Sequence, residues 1–215
     1  MSTELKRGLE GVVVTESNLS SIDGDAGRLI YRGYAIEELA RRASYEETLY
    51  LLWHGELPDS EQLETFSAEM AKERHLSDGA LEIVRDLAEA DEEPMAALRT
   101  ITSALAAYDP DADAEVTDTE ANDRKSRRIT AKMPTALAAY NRIRNGDDPV
   151  DPREDLGHAA NFLYMLNDAE PDDVLAETFD MALVLHADHG LNASTFSAMV
   201  TASTLADLHS AVTSA

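Results

Sequence analysis

The sequence predicts a mainly α protein, a multi-helical domain with a small β-hairpin at its N-terminal end. Three observations carry this expectation. Apolar residues recur at three- and four-residue spacing in almost every window after Tyr34. Cap residues and breakers (Ser, Asp, Gly and Pro) separate those windows. β-Branched residues beside turn formers occur together only in residues 11–32. No repeat and no internal domain boundary interrupts the pattern.

Gly11–Thr15 is β-branched, and Leu29-Ile30-Tyr31 follows the turn-rich stretch Asp23-Gly24-Asp25-Ala26-Gly27, which gives the hairpin. Residues 35–43 and 45–54 read as two short helices ended by Gly55 and Pro58. Asp59 or Ser60 caps a helix running to about His75, and Ser77 caps another running to about Ala90. Pro94 at a first helical position opens 94–108, with Leu98, Ile101, Leu105 and Tyr108 on one stripe. Asp109 to Asp123 holds seven acids and no base, and reads as a solvated loop. Residues 124–144 return to helix with Ile129, Met133, Leu137 and Tyr140 in register, and Pro134 either kinks that helix or marks its true start. A helix over 153–167 follows, then one over 171–189 with Leu175, Phe179, Ala182 and Leu183 at helical spacing. The last helix runs from about Asn192 with Phe196, Val200, Leu208 and Val212 on one face.

Composition bounds the function. A 44% hydrophobic content in 215 residues supports a sizeable core and excludes a disordered chain. Net charge is −24, with 42 acids against 18 bases, which argues against nucleic acid or an anionic membrane as partner. The acid excess runs through every polar face and fits a halophilic setting, where salt screens self-repulsion. The absence of cysteine removes disulfides and thiolate catalysis. The opening MSTELKRG lacks the apolar core of a signal peptide and no run approaches 18 apolar residues, so a cytoplasmic protein is expected.

Chemistry concentrates in His186–Thr195, HADHGLNAST. His186 and His189 lie three apart and share a face at a helix C-terminus, Gly190 fits the stop, and Asn192 or Ser194 can cap the next helix. The fresh helix start offers free N–H groups to an anion, and an imidazole can donate to a carboxylate or carbonyl oxygen. A packed or capping histidine is the plainer alternative, and His186, Asp188 and His189 could also approach a metal, although H-x-D-H is not a standard ligand spacing and no metal is expected. His186 continues the apolar stripe and is expected to pack behind His189. Asn192 caps, contacts substrate or orients His189. Arg124, Lys125, Arg127 and Arg128 form the one basic cluster, which either holds phosphate or balances the preceding acids. His158 is expected to pack or cap, Trp53 and His54 to form core and rim, and His75 and His209 to be exposed.

The chain resembles the citrate synthase family across nearly its whole length. Three blocks carry the resemblance in order: GLEGVVVTESNLSSIDGDAGRLIYRGYAIEELA with EETLYLLWHGELP, HAANFLYML at His158–Leu166, and LHADHGLNAST at Leu185–Thr195. It implies that residues 1–215 form the N-terminal half of that family's large domain, without its small domain. It implies that His189 binds oxaloacetate, with Asn192 and His186 as weaker candidates, and that Arg124, Arg127 and Arg128 are the candidates for coenzyme A phosphates. The family's second and third histidines and its proton-abstracting aspartate have no counterpart before Ala215, so this chain alone is expected to be inactive. The implied reaction condenses acetyl-CoA, a co-substrate and not a resident cofactor, with oxaloacetate to give citrate. 2-Methylcitrate synthesis from propionyl-CoA and a non-catalytic helical dimerisation module are the alternatives. A homodimer is implied too, with 94–108 and 127–143 as its candidate helices.

Overall fold

The computed structural model describes residues 15–215. A three-stranded antiparallel sheet comes first, in the order β1 (Ser20–Asp23), β2 (Arg28–Tyr31) and β3 (Tyr34–Ala35). Ser20 faces Tyr31 and Ile22 faces Leu29 across the hairpin, while Ile30 faces Ala35. The Asp23 side chain accepts the Ala26 N–H at 3.0 Å, and Gly27 takes the left-handed φ of 61° that closes the turn. The expected strand at Gly11–Thr15 falls outside the described residues up to Val14, and Thr15 is not in a strand.

Ten helices follow: α1 (Ile36–Arg42), α2 (Tyr45–His54), α3 (Ser60–Lys72), α4 (Asp78–Glu89), α5 (Pro94–Leu105), α6 (Thr119–Arg144), α7 (His158–Asn167), α8 (Asp173–His186), α9 (Ala193–Ser203) and α10 (Leu208–Ser214). Their starts obey local chemistry. Ser44 and Asp59 form capping boxes with Glu47 and Gln62, and Ser77, Asp118, Asp172, Asn192 and Asp207 each cap with a side-chain oxygen. No helix among the described residues is long and apolar enough to cross a membrane.

α6 is the central rod, 26 residues long and unbroken through Pro134, so the alternative that the helix starts at Pro134 is excluded. One face packs with α4 and α5 through Val84, Ala88, Ala97, Ile101, Ala136 and Tyr140. Another meets α2 and α3 through Leu49, Phe66, Met70 and Ala131. A separate cluster joins β2, α1, α2 and α8 through Tyr31, Leu39, Leu51 and Val184.

Four expectations change. The acidic stretch is not a solvated loop to Asp123: Asp118 caps α6, and Asp109 is buried against Arg128. His209, expected to be exposed, is 3% exposed, with its Nε2 3.6 Å from Asp109. The final helix is two, because Leu205 turns left-handed at φ 63° and Asp207 recaps the chain. α7 begins at His158 and not at 153, because the buried Arg74 guanidinium draws in the carbonyls of Arg153 and Leu156 at 2.6 and 2.8 Å. The burial of Asp109 and His209 and the late start of α7 come from partners distant in sequence, whereas the Asp118 cap and the break at Leu205 are local.

Candidate functional site

The α8–α9 junction holds the HADHGLNAST segment. α8 ends at His186 and Ala187 is its C-cap, so His189 lies beyond the helix, on the connecting turn. The two histidines therefore do not share a helical face, contrary to the sequence expectation. Gly190 has a φ of 63°, the left-handed conformation its missing Cβ allows. The Asp188 carboxylate accepts the Gly190 N–H at 2.8 Å, and Asn192 accepts the Thr195 N–H at 2.8 Å to open α9.

Both histidines are exposed. The His186 Nδ1 sits 2.7 Å from the Ala182 carbonyl, a bond back to its own helix that replaces the packing expected of it. His189 makes no side-chain hydrogen bond among the described residues, which leaves both ring nitrogens available to a partner at the surface of the turn. No group of three or more His, Asp or Glu side chains among the described residues is arranged to hold a metal. Asp188 is committed to the turn and does not join the histidines in a ligand set.

A well-formed concavity lies elsewhere. An open apolar groove of about 600 Å³ runs between α6, α7 and α8, lined by Met133, Leu137, Phe162, Phe179 and Leu183 among others. Phe162 and Phe179 stack across it at 5.4 Å. Its polar lining includes Ser126, Thr130 and His158, the last buried and packed against the Tyr45 ring at 5.0 Å. Burial, helped by the nearby Arg74 charge, pushes the His158 imidazole down to about 4, so it is neutral at pH 7. The α6 and α8 stripes that the sequence assigned to core line this groove, and periodicity alone cannot say whether such a stripe is covered.

The basic cluster is engaged by carboxylates. Arg124 grips Asp111 at 3.0 and 2.7 Å. Arg128 grips Asp109 at 2.8 and 2.6 Å and reaches Asp111 at 2.6 Å. Arg127 pairs with Glu69 at 2.6 Å, and Lys125 is 1% exposed. Hydrogen bonds from Arg124, then Arg128, hold the Asp111 carboxyl far below the usual range. Of the two alternatives open in the sequence, this geometry is charge balance within the chain.

Fold and turn together define a helical domain with an imidazole presented at a helix–turn–helix junction. The family model described as citrate synthase, C-terminal domain, matches residues 8–215. Citrate synthase of Haloferax volcanii is 71% identical over 216 residues, covering 100% of this chain and 57% of that protein. A 2-methylcitrate synthase of Mycobacterium tuberculosis is 40% identical, covering 99% of this chain and 53% of that protein. The crystal structure of citrate synthase from Pyrobaculum aerophilum superposes with a TM-score of 0.91 at 44% identity, covering 96% of this chain and 53% of that one. The chain belongs to the citrate synthase family, and it spans about half the length of these relatives.

Proposed function

We propose that this chain is part of an enzyme that condenses acetyl-CoA with oxaloacetate to give citrate, and that His189 supplies a hydrogen bond to oxaloacetate. The observation that carries the reading is 71% identity to a citrate synthase along the whole chain, with HADHGLNAST set at a helix–turn–helix junction. An imidazole outside a helix, with both ring nitrogens unused, can donate to a carboxylate or to the keto oxygen, whose polarisation the condensation requires. The N-terminus of the eleven-residue α9 lies three residues on and adds a positive dipole end to that region. Asn192 acts through the cap that starts α9, with His186 beside the turn.

In this reading residues 1–215 are the first half of a large domain. The groups that form the acetyl enol come from sequence outside them, and their arrival covers a surface on which His189 now stands exposed. Acetyl-CoA is a co-substrate and no cofactor stays bound. The three arginines remain candidates for coenzyme A phosphates only where a phosphate displaces Asp109, Asp111 or Glu69. A homodimer suits the same picture, because the groove along α6 and the charge-free α9 leave apolar surface to cover. The inner faces of α5 and α6 are already consumed by α4, so the covering surface is the groove side (Leu98, Ile129, Met133, Leu137) and not the Ala-rich side. A cytoplasmic, salt-rich setting accords with the charge of −24.

Thiol release from acetyl-CoA in the presence of oxaloacetate, measured on the full gene product, tests this. His189→Ala is expected to raise the oxaloacetate KM about 10- to 100-fold, matching the roughly 1.5–3 kcal/mol of a hydrogen bond to a charged group. Unchanged KM and kcat would remove His189 from the site. The second reading, propionyl-CoA as acyl donor, is favoured by the 40% identity to a 2-methylcitrate synthase. One methylene changes selectivity by only about 1–3 kcal/mol, so parallel assays with both thioesters decide it. Release from neither would leave a non-catalytic helical module.

A further inference from the structure

We infer that Tyr31 is a positioning residue for His189, an assignment that rests on the reading of His189 as an oxaloacetate ligand. His189 stands outside any helix, and a turn of this kind has backbone N–H and C=O groups with no helical partner. An exposed ring on an unsupported turn would sample many orientations, and a ligand would then have to order it on binding.

The support comes from the hairpin, more than 150 residues away in sequence. Tyr31 on β2 is 0% exposed. Its hydroxyl donates to the Asp188 carbonyl at 2.9 Å, with the Leu185 carbonyl at 3.4 Å, and accepts the Asp188 N–H at 3.1 Å. Both backbone groups of the residue before His189 are thus held by one phenol. On the other flank, Gly190 donates to the Asp188 carboxylate at 2.8 Å, and the Ile22 Cδ1 of β1 lies 3.4 Å from where a Gly190 Cβ would stand. The hairpin therefore seats the residues on either side of His189 and leaves the imidazole free.

A phenylalanine at position 31 would fill the same apolar site among Leu39, Leu51 and Val184. What tyrosine adds is the hydroxyl, and every hydrogen bond of that hydroxyl among the described residues goes to the α8 end and its turn. Burial raises the phenol's pKa, so it stays protonated and can donate and accept at once.

The test uses the full gene product and oxaloacetate as the varied substrate. Tyr31→Phe is expected to raise the oxaloacetate KM roughly tenfold, with the acetyl-CoA KM unchanged, and to add nothing in a His189→Ala background. A residue that only supports the fold would lower thermal stability and leave that KM alone. Asp188→Ala loosens the other flank without touching the hairpin core and is expected to raise the same KM, and because KM does not depend on the folded fraction, Tyr31→Phe is read on its folded molecules even if it folds poorly. If His189→Ala raises the oxaloacetate KM while Tyr31→Phe does not, the positioning role of Tyr31 is overturned and the His189 reading survives. If His189→Ala itself changes nothing, the underlying reading falls.

Discussion

Helices α4 and α9 have 12 and 11 residues, yet they solve the burial problem in opposite ways. α4, DGALEIVRDLAE, is charged on one side and turns Ala80, Val84 and Ala88 fully inward against α5 and α6. α9, ASTFSAMVTAS, carries no charged residue in a chain of net charge −24, and buries none of its side chains. Among the described residues, seven of the eleven exposed large hydrophobic side chains fall between Val174 and Leu205, on α8, α9 and the segments that follow them. A helix without a charged face in so acidic a chain is a helix built to be covered. The difference separates a finished core, α4–α5–α6, from an open surface that runs through the His189 turn.

The largest way to break the finished half is to remove Arg128. Its side chain and that of Asp109 are 6% and 2% exposed, and the two are joined by paired hydrogen bonds. Arg128→Met is expected to destabilise by about 3–5 kcal/mol, because Asp109 would remain buried without its counter-charge. Urea unfolding at fixed salt measures it. A loss under about 1 kcal/mol would mean the pair is solvated and the core looser than described. The exposed Arg144–Asp91 pair is the control, and its removal is expected to leave the urea midpoint nearly unchanged.

That ionic cluster also marks the limit of what was legible in the sequence. Helix starts were readable because a cap acts within three residues: Asp59, Ser77 and Asn192 all announce themselves. The hairpin was readable from its turn. The burial of His209 and Asp109 was not, because it depends on α10 folding back on to α6, and the intervening sequence does not encode that approach locally. At the site, the HADHGLNAST segment stood out by composition, yet the hydrogen bonds its turn makes to Tyr31, distant in the chain, did not. Whether an apolar stripe is sealed or open is likewise a tertiary fact: Ile101 and Leu105 of the α5 stripe are buried, whereas Phe179 and Leu183 of the α8 stripe line an open groove.

The next prediction probes the border between the two regions. His158 lies in the groove wall with its pKa pushed down to about 4, whereas an unfolded histidine titrates near 6.5. Below pH 6.5 the unfolded chain takes up a proton that the folded chain refuses. The stability from this group is therefore complete above about pH 6.5 and lost as pH falls towards 4, by about 3 kcal/mol in total. Asp180, half-buried and pushed up to about 6 chiefly by desolvation, acts in the opposite sense and gains stability as pH falls below 6. Comparing wild type with His158→Gln cancels Asp180, and the variant is expected to show a shallower loss of stability between pH 7 and 4. Equal slopes would place the ring in water, and the groove would then be a wet cleft.

The smallest expected effect sharpens the comparison most, because it uses one residue type in both settings. Val84 on α4 is 0% exposed and Val200 on α9 is 47% exposed. Val84→Ala removes two buried methyl groups from a packed core, and is expected to cost roughly 1.5–3 kcal/mol. Val200→Ala in the 215-residue chain removes methyls that already face solvent, and alanine's higher helix propensity offsets the small loss, so the change is expected within about 0.5 kcal/mol. Thermal or urea unfolding of both variants gives the pair. If Val200→Ala costs as much as Val84→Ala, α9 is already covered in solution, and the open surface around His189 does not exist as described. If the costs differ as expected, repeating Val200→Ala in a longer form of the protein becomes informative. A penalty that emerges only there measures the cover directly, and places it beside the histidine turn.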